Sequence, residues 1–64
     1  MGRGIKMNKA TANYNMTFNN GTFKKDKDYD YEYKNKNIYV TTEEGKKQEL
    51  LETEFNILFT FLKN

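Results

Sequence analysis

Strict alternation of acidic with non-acidic residues in residues 26–33 is the feature that most constrains how this chain can fold. Acidic residues occupy the even positions: Asp26, Asp28, Asp30 and Glu32. Tyrosines occupy the odd positions from residue 29 onward: Tyr29, Tyr31 and Tyr33. Because successive side chains of a β-strand point to opposite faces, this pattern predicts a strand with one acidic face and one aromatic face.

Further strands are predicted on both sides of this segment. Apolar and polar residues alternate through residues 10–18, and the Asn-Asn-Gly sequence at 19–21 is typical of a hairpin with a type I′ turn. A polar turn at 34–37 precedes Ile38 and Val40, where the apolar positions change parity and therefore indicate a separate strand. Together these patterns predict an antiparallel meander of three or four strands.

The C-terminal residues 55–62 fit two structures. As a strand, their aromatic and β-branched side chains would share one face; as a helix, Phe55 would belong to an apolar stripe with Thr53 as the N-cap. The acidic, leucine-rich sequence before them favours the helix. The predicted fold class is therefore α+β, a small antiparallel β-meander with one C-terminal helix. It is formed by residues 11–64 and preceded by a flexible basic segment, residues 1–10.

A chain of 64 residues without Cys or His has few means of stabilising a core. Such a chain buries only about 60% of the surface that its unfolded form exposes, and it can form neither a disulfide nor a Cys/His zinc site. Association is the remaining source of apolar burial. On the helical interpretation Ile57 and Phe61 lie one turn apart, away from the main stripe. We therefore expect them to form a homodimer interface or to dock into a groove of a partner.

The acidic face has two interpretations. Its carboxylates would repeat about every 6.7 Å, a sign and pitch that resemble the phosphates of one nucleic-acid strand. Alternatively they form a solvated face whose charges discourage aggregation. Tyr39 lies between two inward-facing apolar residues, so it is expected to face outward as an interface anchor. The predicted partner-binding residues are Asp26, Asp28, Asp30, Glu32 and Tyr39.

Metal binding and catalysis find little support in the sequence. The spacing Asp26-x-Asp28-x-Asp30 matches the first ligands of an EF-hand loop, but Tyr31 replaces the required Gly and Asn37 the bidentate Glu. No metal site or cofactor is therefore predicted. Without His, Cys or a Gly-rich phosphate loop, the chain is predicted not to be an enzyme. The sequence contains no window of 18 apolar residues, so no transmembrane helix is predicted. The cytoplasm is the expected location.

Nucleic-acid binding is the alternative to a protein partner. Residues 1–25 hold five basic residues and no acidic one, and aromatic residues follow the basic ones. Basic residues interleaved with aromatics are typical of small proteins that bind single strands. The acidic face would repel a phosphate backbone, however, so nucleic acid is the less favoured partner.

The tract DKDYDYEYK, together with the later TEFNILF, resembles small phage-encoded inhibitors of host nucleic-acid enzymes, such as the uracil-DNA glycosylase inhibitors and anti-CRISPR DNA mimics. This resemblance implies an acidic strand that takes the place of DNA, often on a small β-sheet dimer. The order of Gly, aromatic strands, a Glu-Glu-Gly turn and a Thr-Glu-Phe segment over residues 21–59 is similar to short SH3-like barrel proteins of Gram-positive bacteria and their phages. Both resemblances imply a binding module without catalysis, which would here bind and inhibit a host protein.

Overall fold

The computed structural model describes residues 8–61 as seven strands and one helix. The elements are β1 (Asn8–Ala12), β2 (Met16–Phe18), β3 (Gly21–Phe23), β4 (Asp28–Lys34), β5 (Asn37–Thr41), β6 (Lys47–Leu51), α1 (Glu52–Leu58) and β7 (Phe59–Phe61). Five strands form one antiparallel sheet in the order β6-β5-β4-β1-β7, and β2 pairs with β3 as a separate hairpin. The predicted antiparallel sheet with one C-terminal helix is confirmed, whereas the predicted number of strands is too small.

The N-terminal strand begins earlier than the sequence indicated. Residues 8–10 were assigned to the flexible basic segment, but they belong to β1, and Ala10 is completely buried opposite Tyr29. β1 lies between β4 and β7 and therefore has hydrogen-bonded neighbours on both sides. The remainder of the predicted basic segment, residues 1–7, lies outside the described residues.

The type I′ turn that the sequence predicts at residues 19–21 occurs instead in the next hairpin. Phe18 pairs with Gly21 across a two-residue turn, but positive φ occurs at Gly21 (142°) and at neither of the two turn residues. The predicted hairpin is confirmed and its type I′ turn is wrong. The pattern of a type I′ turn instead joins β4 to β5, where Asn35 and Lys36 have φ angles of 53° and 69°.

Contact between the β2–β3 hairpin tip and the β5–β6 loop explains why a glycine occupies position 21. A Cβ atom added at Gly21 would overlap the Glu44 carboxylate and lie 2.6 Å from Thr42 Cβ. The Thr42 hydroxyl donates to the Asn20 carbonyl at 3.1 Å. The Thr22 N–H donates to Glu44 Oε1 at 2.8 Å, and this bond is the main reason that the pKa of the Glu44 carboxyl is lowered. Hydrogen bonds therefore attach the hairpin to the loop.

The ambiguous C-terminal segment forms a helix and then a strand. α1 begins at Glu52, where the Glu54 carboxylate accepts a hydrogen bond from the Leu51 N–H at 3.1 Å, so Thr53 lies inside the helix instead of capping it. At Phe59 the backbone becomes extended (φ −131°, ψ 154°), and β7 pairs with β1. The helical prediction is correct up to Leu58 and wrong for residues 59–61, where tertiary pairing overrides the helical spacing.

The core lies between one face of the sheet and a layer made of α1 and the hairpin. Its buried residues are Ala10, Ala12, Phe23, Tyr29, Ile38, Val40, Leu50, Phe55 and Phe59. Phe59 stacks on Phe55 with ring centroids 5.1 Å apart and meets Phe23 edge-on at 5.2 Å. Aromatic side chains thus supply most of the contact between the two layers.

One buried tyrosine also makes polar contacts at the edge of this core. The Tyr29 hydroxyl donates to Glu43 Oε2 at 2.5 Å and accepts from the Lys24 N–H at 2.7 Å. Burial, followed by the hydrogen bond to Glu43, raises the pKa of the Tyr29 hydroxyl. Lys27 binds the same carboxylate at 2.8 Å, and its hydrogen bond is the main cause of the lowered pKa of Glu43. The hydroxyl of Tyr29 therefore connects Lys24, the residue after β3, to Glu43 in the β5–β6 loop.

The β4–β5 turn generates a stability prediction. Lys36→Gly should raise the free energy of unfolding by about 1 kcal/mol, because a left-handed backbone costs an L-residue roughly that much and Gly adopts it freely. For a domain of this size the melting temperature should rise by roughly 4–8 °C, measured by circular dichroism. Lys34→Gly is the matched control, since Lys34 is an exposed strand residue without positive φ and should become less stable. A lower stability of Lys36→Gly would contradict the turn type.

Candidate functional site

The five-stranded sheet has one covered face and one open face. The covered face carries the tyrosines of β4, of which Tyr29 is buried and Tyr31 packs against Phe55 with centroids 4.9 Å apart. The opposite face, called the open face below, contains no buried side chain. Its residues are Lys9, Thr11, Asp28, Asp30, Glu32, Lys34, Asn37, Tyr39, Thr41, Lys47, Glu49, Leu51 and Thr60. Alternation along β4 therefore separates aromatic from acidic residues as predicted.

The acidic row on the open face consists of three residues, Asp28, Asp30 and Glu32. Asp26, which the sequence placed at the start of this row, precedes the strand and has a φ angle of 70°. Its N–H donates to the Ala12 carbonyl at 2.8 Å, as part of the turn that leads into β4. The assignment of Asp26 to the row is corrected, because alternation of side chains applies only within the extended strand.

Each carboxylate of the acidic row has a cross-strand partner. Asp28 accepts a hydrogen bond from the Thr11 hydroxyl at 2.7 Å. Asp30 binds Lys9 Nζ at 2.9 Å, and this hydrogen bond is the main cause of the raised pKa of Lys9. Glu32 pairs with Lys47. The open face is thus of mixed charge, with two lysines beside three carboxylates.

The sequence analysis missed these partners because they are remote in sequence. Lys9 lies 21 residues from Asp30, and Lys47 lies 15 residues from Glu32. Register relates them, since Lys9 pairs directly with Asp30 across β1 and β4. Opposite charges on neighbouring strands would have been a usable signal for Lys9 and Asp30 once the strand order was known. Lys47 and Glu32 lie on β6 and β4, with β5 between them.

Tyr39 extends the open face from β4 to β5. It is half-buried, and its neighbours Ile38 and Val40 are buried on the covered face, as the sequence predicted. Its cross-strand neighbours are Glu32 and Glu49. The side chain lines an open depression of about 260 Å³, together with Glu32, Lys34, Asn35 and Lys47. The structure therefore brings Tyr39 next to the acidic row.

The predicted interface residues lie elsewhere in the fold. Ile57 is in α1 and is 66% exposed, whereas Phe61 is in β7 and is 46% exposed. Phe61 is on the covered face, with its ring 5.6 Å from Tyr31 and 5.2 Å from Phe55. The prediction that both residues lie one turn apart on a helix is wrong, because the helix ends at Leu58. Their exposure nevertheless leaves apolar surface available at this side of the sheet.

Within residues 8–61 no group of three or more acidic side chains is placed so that it could hold a metal ion. The helix of the described segment is too short and too polar to cross a membrane. The side chains of the open face supply carboxylates, ammonium groups, hydroxyls and one aromatic ring. Such groups provide recognition by charge and by stacking.

The Glu32–Lys47 pair generates a pH prediction. The hydrogen bond from Lys47 favours the charged carboxylate, so the pKa of Glu32 lies below its ordinary value. Its contribution to stability is therefore present at neutral pH and is lost as pH falls through this lowered pKa. Lys47→Gln should return the pKa of Glu32 toward its ordinary value, measured by NMR titration of side-chain carboxyl carbons. Lys46→Gln, outside the pair, should leave it unchanged; equal values in all three proteins would contradict the pairing.

Comparisons with known proteins do not add to these observations. No protein-family model, curated protein or solved structure matches the chain. The function is therefore argued from the surface of the molecule.

Proposed function

We propose that this chain is a small non-catalytic binding protein that uses the open face of its sheet to bind and inhibit a protein of a host cell. The observation that carries the proposal is the difference between the two faces. α1 and the β2–β3 hairpin cover one face with an aromatic core, whereas no described element covers the acidic row and Tyr39. A sheet face that combines a rigid aromatic residue with charged residues is suited to protein recognition.

The lysine partners of the acidic row do not prevent it from binding a basic surface. The side chains of Lys9 and Asp30 are 47% and 44% exposed, and exposed ion pairs contribute little to stability. Arginine side chains of a partner could therefore replace the lysines at small cost, with the bidentate geometry that lysine lacks. The strand would hold the carboxylates at a regular spacing, so that little ordering is needed on binding.

The proposed class is a phage or mobile-element inhibitor that acts in the host cytoplasm, with nucleic-acid-acting enzymes as candidate targets. The acidic row supports this class because its pitch and sign resemble a phosphate backbone. We also propose that the fold is an SH3-like barrel. Pairing of β1 with β7, the first and last described strands, supports a barrel that stays open between β6 and β7, the strands at the two ends of the sheet.

Binding through the acidic row generates a prediction. Asp28→Asn with Asp30→Asn should weaken binding to the host protein by roughly 2–4 kcal/mol if both carboxylates meet basic side chains in a desolvated interface. The measurement is calorimetry with a partner captured from host lysate by the immobilised wild type. Association should also become slower and less dependent on salt.

Asp26→Asn is the matched control for the single variants Asp28→Asn and Asp30→Asn, because it removes one negative charge from a position outside the row. It should bind as the wild type does, and Tyr39→Ala should weaken binding. A partner that binds the double variant with unchanged affinity would refute the role of the acidic row.

A second candidate function is the binding of single-stranded nucleic acid, and it rests on a different surface. Tyr14 is 54% exposed, and it precedes Asn15, whose side-chain oxygen accepts the Lys25 N–H at 2.8 Å. Lys24 and Lys25 are exposed and have no carboxylate within 4 Å among the described residues. An exposed ring and exposed ammonium groups on neighbouring segments are suited to stacking and to phosphate contact. Lys9 does not belong to this surface, because it binds Asp30.

Salt dependence separates the two candidates. A nucleic-acid binder should lose affinity for an oligonucleotide steeply as salt increases, by counterion release, whereas the protein-binding proposal predicts no such binding. Fluorescence anisotropy with labelled single strands measures this directly. If binding occurs, Lys24→Gln with Lys25→Gln should weaken it more than Lys34→Gln with Lys36→Gln, which removes equal charge elsewhere. Salt-sensitive binding lost in the first pair and kept in the second would favour nucleic acid.

A further inference from the structure

Asn20 is the only asparagine of this chain that precedes a glycine, and it lies in the turn between β2 and β3. Asparagine is a thermolabile residue, because its side-chain amide reacts with the backbone nitrogen of the next residue. Glycine in the next position favours this reaction, since it has no Cβ atom to hinder the approach. Asn20 is also exposed, so water reaches it. The pair Asn20-Gly21 therefore has the chemistry of a spontaneous modification site.

The reaction at such a pair consumes water and releases ammonia. Hydroxide removes the proton of the Gly21 N–H, and the nitrogen attacks Cγ of Asn20. A bond forms between this nitrogen and Cγ, and the bond from Cγ to Nδ2 breaks. The departing nitrogen takes a proton from water, which restores the hydroxide and releases ammonia. Water then opens the resulting succinimide ring at one of its two carbonyl carbons, and either aspartate or isoaspartate remains at position 20.

The attacking nitrogen is held in the hairpin. The Thr22 N–H donates to Glu44 Oε1 at 2.8 Å, and the Thr22 carbonyl accepts from the Glu43 N–H at 3.0 Å, so both groups face the β5–β6 loop. Because this direction alternates along a strand, the Gly21 N–H faces β2, where its register partner is Phe18. The carboxylate of Glu44 lies close beside Gly21 and opposes the removal of a proton from its nitrogen.

The side chain that would be attacked is held by β6 and by the β5–β6 loop. Nδ2 of Asn20 donates to the Lys47 carbonyl at 3.0 Å. The main-chain carbonyl of Asn20 accepts from the hydroxyl of the buried Thr42 at 3.1 Å, and this hydroxyl accepts from the Lys46 N–H at 3.2 Å. These bonds restrict the rotations that would bring Cγ to the Gly21 nitrogen. The attached hairpin is therefore protected from the reaction.

We propose that Asn20 is a site of spontaneous deamidation, whose reaction requires detachment of the β2–β3 hairpin from the β5–β6 loop and whose product hinders reattachment. Aspartate or isoaspartate has no N–H group to donate to the Lys47 carbonyl, and its charge adds to that of the nearby Glu44 carboxylate. Isoaspartate also lengthens the main chain by one atom inside a two-residue turn, whose length sets the register of Phe18 with Gly21.

This proposal goes beyond the proposed function and does not depend on it, since the turn contributes no side chain to the open face. The hairpin supplies Phe23 to the core, where its ring meets Tyr29 at 4.9 Å and Phe59 at 5.2 Å between centroids. Release of the hairpin would uncover these rings. Each opening thus exposes the protein to conversion into a less stable form, and the stability of this one attachment sets its lifetime.

Incubation of the wild-type protein at neutral pH, followed by digestion and mass spectrometry, measures the rate of deamidation at Asn20. The rate should be roughly tenfold or more lower in the folded protein than in protein unfolded by urea, because detachment is rare. Below the unfolding transition, the rate should rise less steeply with urea than global unfolding does, since detachment exposes less surface. Equal rates in folded and unfolded protein would overturn the proposal, as would a rate that follows global unfolding.

Two pairs of variants test the attachment directly. Glu44→Ala removes the acceptor of the Thr22 N–H and should raise the folded-state rate several-fold, whereas Glu52→Ala removes the same charge from the exposed first turn of α1 and should leave it unchanged. Asn20→Asp reproduces one product and should melt at a lower temperature than Asn19→Asp, which adds the same charge at the adjacent exposed residue. No difference within either pair would overturn the proposal, and the urea series decides alone if Glu44→Ala does not fold.

Discussion

Burial of Phe59 is the contact on which the rest of the fold depends. Its ring lies between Phe55 of α1 and Phe23 of the hairpin, and its backbone begins β7. Ala12, opposite it on β1, is small enough for the ring to lie close to the sheet. Helix, hairpin and sheet thus meet at one residue. In a domain this small, one aromatic cluster has to provide most of the apolar burial.

The covering of one face of the sheet determines which surface is left for function. The helix and the hairpin are both used on the aromatic side, and the polar contacts of Tyr29 and Glu44 fix the hairpin to the β5–β6 loop. Nothing in residues 8–61 remains to cover the other side. The open face and the β7 edge are therefore both left uncovered by the described residues.

Local patterns predicted those parts of the structure that depend on local geometry. Alternation predicted β4 and the orientation of Tyr39, because the period of a strand is local. Contacts that depend on strand order could not be predicted, such as the pairs of Asp30 with Lys9 and Glu32 with Lys47. The turn at 19–21 was misassigned because the approach of Thr42 and Glu44 decides its conformation. The tail was half correct, because pairing with β1 begins at Phe59.

The opposite chemistry of the two faces of β4 also protects the fold against errors of alignment. A shift of one residue would turn the tyrosines to solvent and place the carboxylates of the acidic row against Phe23 and Phe55. Burying unpaired carboxylates is far more costly than any gain from the shifted backbone bonds, so the nearest misfolded pairings are strongly disfavoured. The same alternation makes an inserted or deleted residue inside β4 far more damaging than one in the Asn35–Lys36 turn. Substitutions within each class are therefore expected to be tolerated in this strand, whereas a change of its length is not.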